Sequence, residues 1–138
     1  MSPRGSKRHP VSPADSRAYL SKAAAWLETA DESLQARRWD VAAGSAVMAG
    51  INAGDALTGA LVGQRAGGEH TEAVDLLTEA GDDGRTAARQ LSQLLRFKTP
   101  AQYDPAPLPE TEAVKAVELA QRLVERATQV LARRRPSG

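Results

Sequence analysis

The chain has no cysteine, which excludes disulfides, thiolate catalysis and cysteine-ligated metals. It has two histidines, His9 and His70, too few for a histidine-held catalytic zinc. Aromatic residues number five (Tyr19, Trp26, Trp39, Phe97 and Tyr103), and isoleucine occurs once. This scarcity of strand formers argues against an all-β fold. Leu, Ile, Val and Phe together supply 25 of 138 positions, a thin stock for one core. What the chain does have is alanine, 26 residues of it, and 14 leucines, both helix formers. Its helices must lean on alanine-lined close contacts or on a partner chain.

No apolar run approaches the roughly 18 residues a membrane span requires. The basic N-terminus is not followed by an apolar signal-peptide segment, so a cytoplasmic protein is expected, with no membrane contact. The net charge of +1 conceals an uneven distribution. Arg4, Lys7 and Arg8 lie in the first ten residues and Arg133, Arg134 and Arg135 in the last six, which leaves 12 bases against 17 acids elsewhere. A body near −5 is not by itself a nucleic-acid-binding surface, and the basic ends read as solvated tails.

Residues 1–11 are expected to be a disordered lead-in, 12–134 one helical domain and 135–138 a disordered tail. Ser12, Pro13 and Asp15 form a helix start, with a side-chain cap and a proline at the first helical position. Leu20, Ala23, Leu27, Ala30 and Leu34 then make an apolar stripe, flanked by Tyr19 and Trp26, on a helix over 13–34. A second helix over 41–62, with Asp40 as its expected cap, carries Gly44, Gly50, Gly54 and Gly59 among alanines. Each interior glycine costs about 1 kcal/mol against alanine, so this helix is expected at the centre, with neighbours pressed close. The small-residue face would also suit a membrane helix, but Asn52 and Asp55 speak against that. A flexible loop over 63–69 leads to a short helix over 71–80. Gly81-Asp-Asp-Gly84 is expected to break the chain before a helix over 85–97. Pro100, Pro105, Pro107 and Pro109 predict an extended crossover over 98–109. The last helix, from about 109 to 133–135, carries Ala113, Val117, Ala120, Val124, Ala127 and Leu131 at heptad-like spacing, widened by Leu119, Leu123 and Val130. The fold class is thus all-α: an antiparallel up-and-down bundle of three long and two short helices.

The most informative stretch for chemistry is Leu94 to Asp104. Arg96, Lys98 and Tyr103 near a helix end suit a phosphate or nucleotide. Basic residues that offset the helix dipole and a tyrosine that anchors packing account for them as well, and that plainer reading comes first. Asn52 and Asp55, three residues apart on one helix face, need partners if buried. They read either as an internal polar contact that orients the crossover or, with Arg96, Lys98 and Tyr103, as a ligand pocket. There is no phosphate-cradling glycine loop, no Glu-x-x-His pattern for a di-metal bundle and no serine-elbow context, so neither metal nor cofactor is expected.

The layout resembles the HEPN domain family, helical proteins common in prokaryotic toxin–antitoxin and defence systems. The resemblance rests on the long first helix, on Ala49–Leu57, on Gly68–Leu77 and on Arg96–Asp104, and it covers about residues 13–132. It is closest to a compact actinobacterial branch with a Lys-x-x-Ala-x-Tyr segment, here Lys98, Ala101 and Tyr103. HEPN ribonucleases pair an Arg-x(4–6)-His motif across a dimer. The matching place here has Arg96 and then Gln102, and glutamine cannot shuttle a proton near neutral pH. Two literal Arg-x4-His matches, Arg4–His9 and Arg65–His70, fall at other positions, and His70 reads as a helix-start residue. The resemblance therefore implies a non-catalytic HEPN-like module that binds a nucleotide, RNA or a protein partner and forms a homodimer, with Trp39 and Phe97 near the docking ends. A divergent ribonuclease and a ligand-free scaffold are the alternatives.

Overall fold

A computed structural model describes residues 7–134. It is an all-α bundle of six helices: α1 (Pro13–Gln35), α2 (Trp39–Val62), α3 (His70–Thr78), α4 (Gly81–Leu95), α5 (Lys98–Tyr103) and α6 (Glu110–Arg133). Two three-residue strands, β1 (Arg8–Pro10) and β2 (Gln64–Ala66), pair antiparallel with His9 opposite Arg65.

Helix α1 begins where its capping residues stand, with the Ser12 hydroxyl accepting from the Asp15 backbone N–H at 3.0 Å. It buries Ala23 and Ala30 along the expected stripe and half-buries Leu20, Leu27 and Leu34, while Trp26 stays 38% exposed. Helix α2 is the enclosed one, packing against every other helix. By length and composition it could cross a membrane, yet most of that apolar stretch is covered by its own bundle. It ends on Gly63, whose φ of 70° is the left-handed conformation of a helix C-terminus.

The core is built as the composition requires. Of the 28 buried apolar residues, 15 are alanine. Gly50 gives its space to Leu94 and Leu123, and Gly54 lies against Leu91 and Leu77. Gly59 does the same for Ser16 and Val11. Gly44 differs: a methyl group added there would meet nothing within 4 Å. The α6 stripe is buried from Ala113 to Val130, with Leu131 half-exposed beyond it.

Several expectations are corrected. The lead-in expected to be disordered through residue 11 is ordered from Lys7. Val11 is buried against Gly59, its N–H donates to the Gly63 carbonyl at 2.9 Å, and the Gly67 N–H donates to the Lys7 carbonyl at 3.0 Å. A short apolar residue before a capped helix thus anchors the strand ahead of it. Arg4 and the expected tail over 135–138 lie outside the described residues. Two of the cations expected in solvated tails are engaged: Arg8 meets Glu79 at 3.2 Å, and Arg133 meets Asp83 at 2.7 Å. Asp83 also holds Arg126 at 3.3 Å.

Gly81-Asp-Asp-Gly84 is the first turn of α4 rather than a gap before it. The break is one residue, Gly81 at φ 89°, and Asp82 and Asp83 then sit where the helix dipole favours acid. Asp40 is not the cap of α2, which starts a residue earlier. Its carboxylate accepts from the Leu108 N–H at 2.9 Å and so ties down the end of the crossover. The crossover is not extended throughout, because residues 98–103 form α5. Pro100 falls in its first turn, where the missing N–H costs no helical bond, and the Ala101 N–H returns to the Phe97 carbonyl at 3.0 Å.

Candidate functional site

The five candidate residues divide between two places. Arg96 follows the last residue of α4 and is exposed. It lines a groove of about 650 Å³ between the end of α4, the start of α5 and the flank of α6. Phe97, Pro100, Leu108 and Leu119 give this groove apolar walls, and Lys115, Arg122, Glu112 and Glu118 add charge along α6. The Glu112 and Lys115 side chains approach to 3.9 Å, an exposed contact of little strength. Neither Arg96 nor Arg122 forms an ion pair among the described residues. The groove wall contains no imidazole.

Asp55, by contrast, lies on the α2 face turned toward β2. Burial pushes its carboxyl up to about 6, and the positive charge of Arg65 on β2 partly opposes that rise. The two side chains form no ion pair within 4.0 Å; the Arg65 guanidinium donates instead to the Ala66 carbonyl at 3.3 Å. Asn52, one turn earlier, is buried and closes back on its own helix, donating to the Met48 carbonyl at 2.9 Å. That bond ties one amide N–H to its own helix, in line with the internal-contact reading, while the second N–H and Oδ1 have no partner among the described residues.

Lys98, at the start of α5, is half-buried and lies within electrostatic reach of His70. Burial, assisted by that lysine charge, lowers the His70 pKa, so the imidazole is neutral at pH 7. His70 is the first residue of α3, behind a capping box made by Glu69 and Glu72. His9 sits in β1 against Gly67. Tyr103 ends α5 and is 73% exposed, so it anchors nothing within the bundle. Phe97, expected near a docking end, is instead only 8% exposed and belongs to the core. Trp39 is half-buried, with the Arg37 guanidinium 5.2 Å from its ring.

The groove residues on α6 were invisible to motif reading. Lys115 and Arg122 carry no signal beyond being polar positions on an amphipathic helix, and only the packing of α6 against α4 sets them opposite Arg96. The fold thus defines a six-helix all-α bundle with an open, charge-lined groove. No protein-family model matches the sequence, and no curated protein matches it.

Proposed function

We propose that the chain is a non-catalytic, HEPN-like binding module whose contact surface is the groove beside Arg96. Arg96 carries this reading: an exposed guanidinium, unpaired among the described residues, at the edge of an apolar-walled depression. Lys115 and Arg122 share the lining, so up to three cations can address one phosphate-bearing or acidic group. Glu112 and Glu118 interrupt that positive field, which favours a compact ligand, a nucleotide or an acidic protein segment, over a long RNA.

Cleavage of RNA by the family route would need a proton-transfer group beside Arg96. Gln102 occupies the motif position, and both imidazoles have other surroundings. A homodimer is part of the proposal, in keeping with the resemblance and with the half-exposed Trp26.

Calorimetric titration of a mononucleotide and a short RNA into wild type and Arg96→Ala tests the reading. The expected result is binding that weakens at least tenfold in the variant. RNA cleavage in the presence of chelator that disappears in Arg96→Ala would replace the module with a ribonuclease. Sedimentation showing only monomer at tens of micromolar would remove the dimer.

A further inference from the structure

A second depression shares no residue with the groove. It lies where α1 begins and where α2 and α6 end, and encloses about 390 Å³. At the ~30 Å³ a water molecule claims in the liquid, that is room for roughly a dozen non-hydrogen atoms. Its walls are apolar where Leu20, Ala60 and Leu131 meet, and two guanidiniums, Arg17 and Arg134, stand at its edge. Among the described residues no carboxylate lines it. Neither arginine forms an ion pair among the described residues.

The third feature is Ser16. It is 2% exposed, it belongs to the wall of this cavity, and its hydroxyl has no hydrogen-bond partner among the described residues. Gly59 makes the space for that hydroxyl, because a methyl group at Gly59 would collide with it. A buried hydroxyl left unpaired costs free energy that an alanine at the same place would avoid. A partner that arrives with a ligand removes that cost.

From these features we infer that the cavity binds a small amphipathic carboxylate, an acyl or aryl acid of about ten non-hydrogen atoms. The apolar body lies against Leu20, Ala60 and Leu131. The carboxylate meets Arg17 and Arg134, and the Ser16 hydroxyl turns to donate to it. The apolar walls exclude a bare phosphate as the natural occupant, and the two guanidiniums favour an acid over an alcohol of the same length.

The probe is octanoate, with 1-octanol as the chain without the charge and inorganic phosphate as an anion without the chain, each titrated by calorimetry into the full chain. Octanoate is expected to bind at one site, octanol at least tenfold more weakly, and phosphate not measurably. Arg17→Ala combined with Arg134→Ala should weaken octanoate at least tenfold, and Ala132→Trp at the exposed edge should block it while leaving Tm unchanged. Ser16→Ala separates ligand binding from a structural role: Tm of the free chain rises while octanoate affinity falls. Arg96→Ala should leave octanoate binding intact, which keeps this test distinct from that of the groove. Equal affinity for octanol and octanoate, indifference to loss of both arginines, many weak sites, or no binding at millimolar octanoate would each overturn the assignment.

Discussion

The two halves of α2 treat glycine in opposite ways. From Gly50 to Gly59 each glycine is a place where another element comes within side-chain distance of the helix: Leu94 at Gly50, Leu91 at Gly54, Ser16 and Val11 at Gly59. In the first half, Gly44 has open space where its side chain would be, and nothing in the packing requires it. A glycine in a helix therefore carries two meanings that sequence cannot separate. One is a close approach whose gain in packing offsets the loss of helix propensity, and the other is a plain cost. The difference can be broken or sharpened by substitution.

The largest effect is expected at Leu94, whose side chain fills the space above Gly50. Leu94→Ala should cost about 2–5 kcal/mol of unfolding free energy in urea. Gly50→Ala alone should also destabilise, but the double variant should lose less than the two single losses combined, because the added methyl enters the space the leucine left. Strict additivity would mean that Gly50 does not serve Leu94.

Next comes Gly59→Ala, expected to cost about 1–3 kcal/mol through collision with Ser16 and Val11. Because Val11 adjoins β1, amide exchange of the β1–β2 pair should quicken in this variant more than exchange in α6. Equal acceleration in both would remove the link between Gly59 and the N-terminal strand.

Asp55 gives the third prediction, of opposite sign. Burial holds its carboxyl near 6 against an ordinary 3.8, so the folded chain binds that proton more tightly than the unfolded chain does. The stability this provides is complete below pH 3.8 and is lost as pH rises through about 6. His70 slopes the other way: its lowered pKa gives stability that is present above 6.5 and lost as pH falls through the depressed value. Asp55→Asn should raise stability at pH 7 by up to about 3 kcal/mol, at ~1.4 kcal/mol per pK unit over the rise from 3.8 to about 6, and the gain should vanish by about pH 3, below the unfolded value. A gain that persists undiminished at about pH 3 would show that ionisation of Asp55 is not its source.

The smallest effect is Gly44→Ala, expected to stabilise by about 0.5–1 kcal/mol through helix propensity alone. A rise in Tm here beside a fall at Gly59 completes the contrast. A fall at Gly44 would mean that its open face is covered in solution, as a partner at that end of α2 would cover it.

Much of the bundle was legible because its signals are local. The Ser12-Pro13-Asp15 start, the α1 and α6 stripes and the small-residue character of α2 each follow from neighbours in the chain, and each stands where expected. The misses were also local in kind but non-local in cause. Prolines read correctly as helix stops, yet Pro100 falls in a first turn, where proline is harmless, and α5 forms around it. Asp40 has the chemistry of a cap and is used as a clamp on Leu108, 68 residues away. Arg8 and Arg133, unremarkable at chain ends, find Glu79 and Asp83 only after folding.

The candidate site was less legible for the same reason. Arg96 stood out in the sequence, but its companions Lys115 and Arg122 come from another helix, and Asn52 and Asp55 turn toward other partners.

By itself, then, the sequence determined the helical class, the helix that would be central and the reliance on alanine, because propensity and periodicity are properties of short segments. Tertiary structure alone decided which glycines are needed, which charges meet and where the open cavities lie. Those depend on distances between residues far apart in the chain, and the chain acquires such distances only when its helices pack.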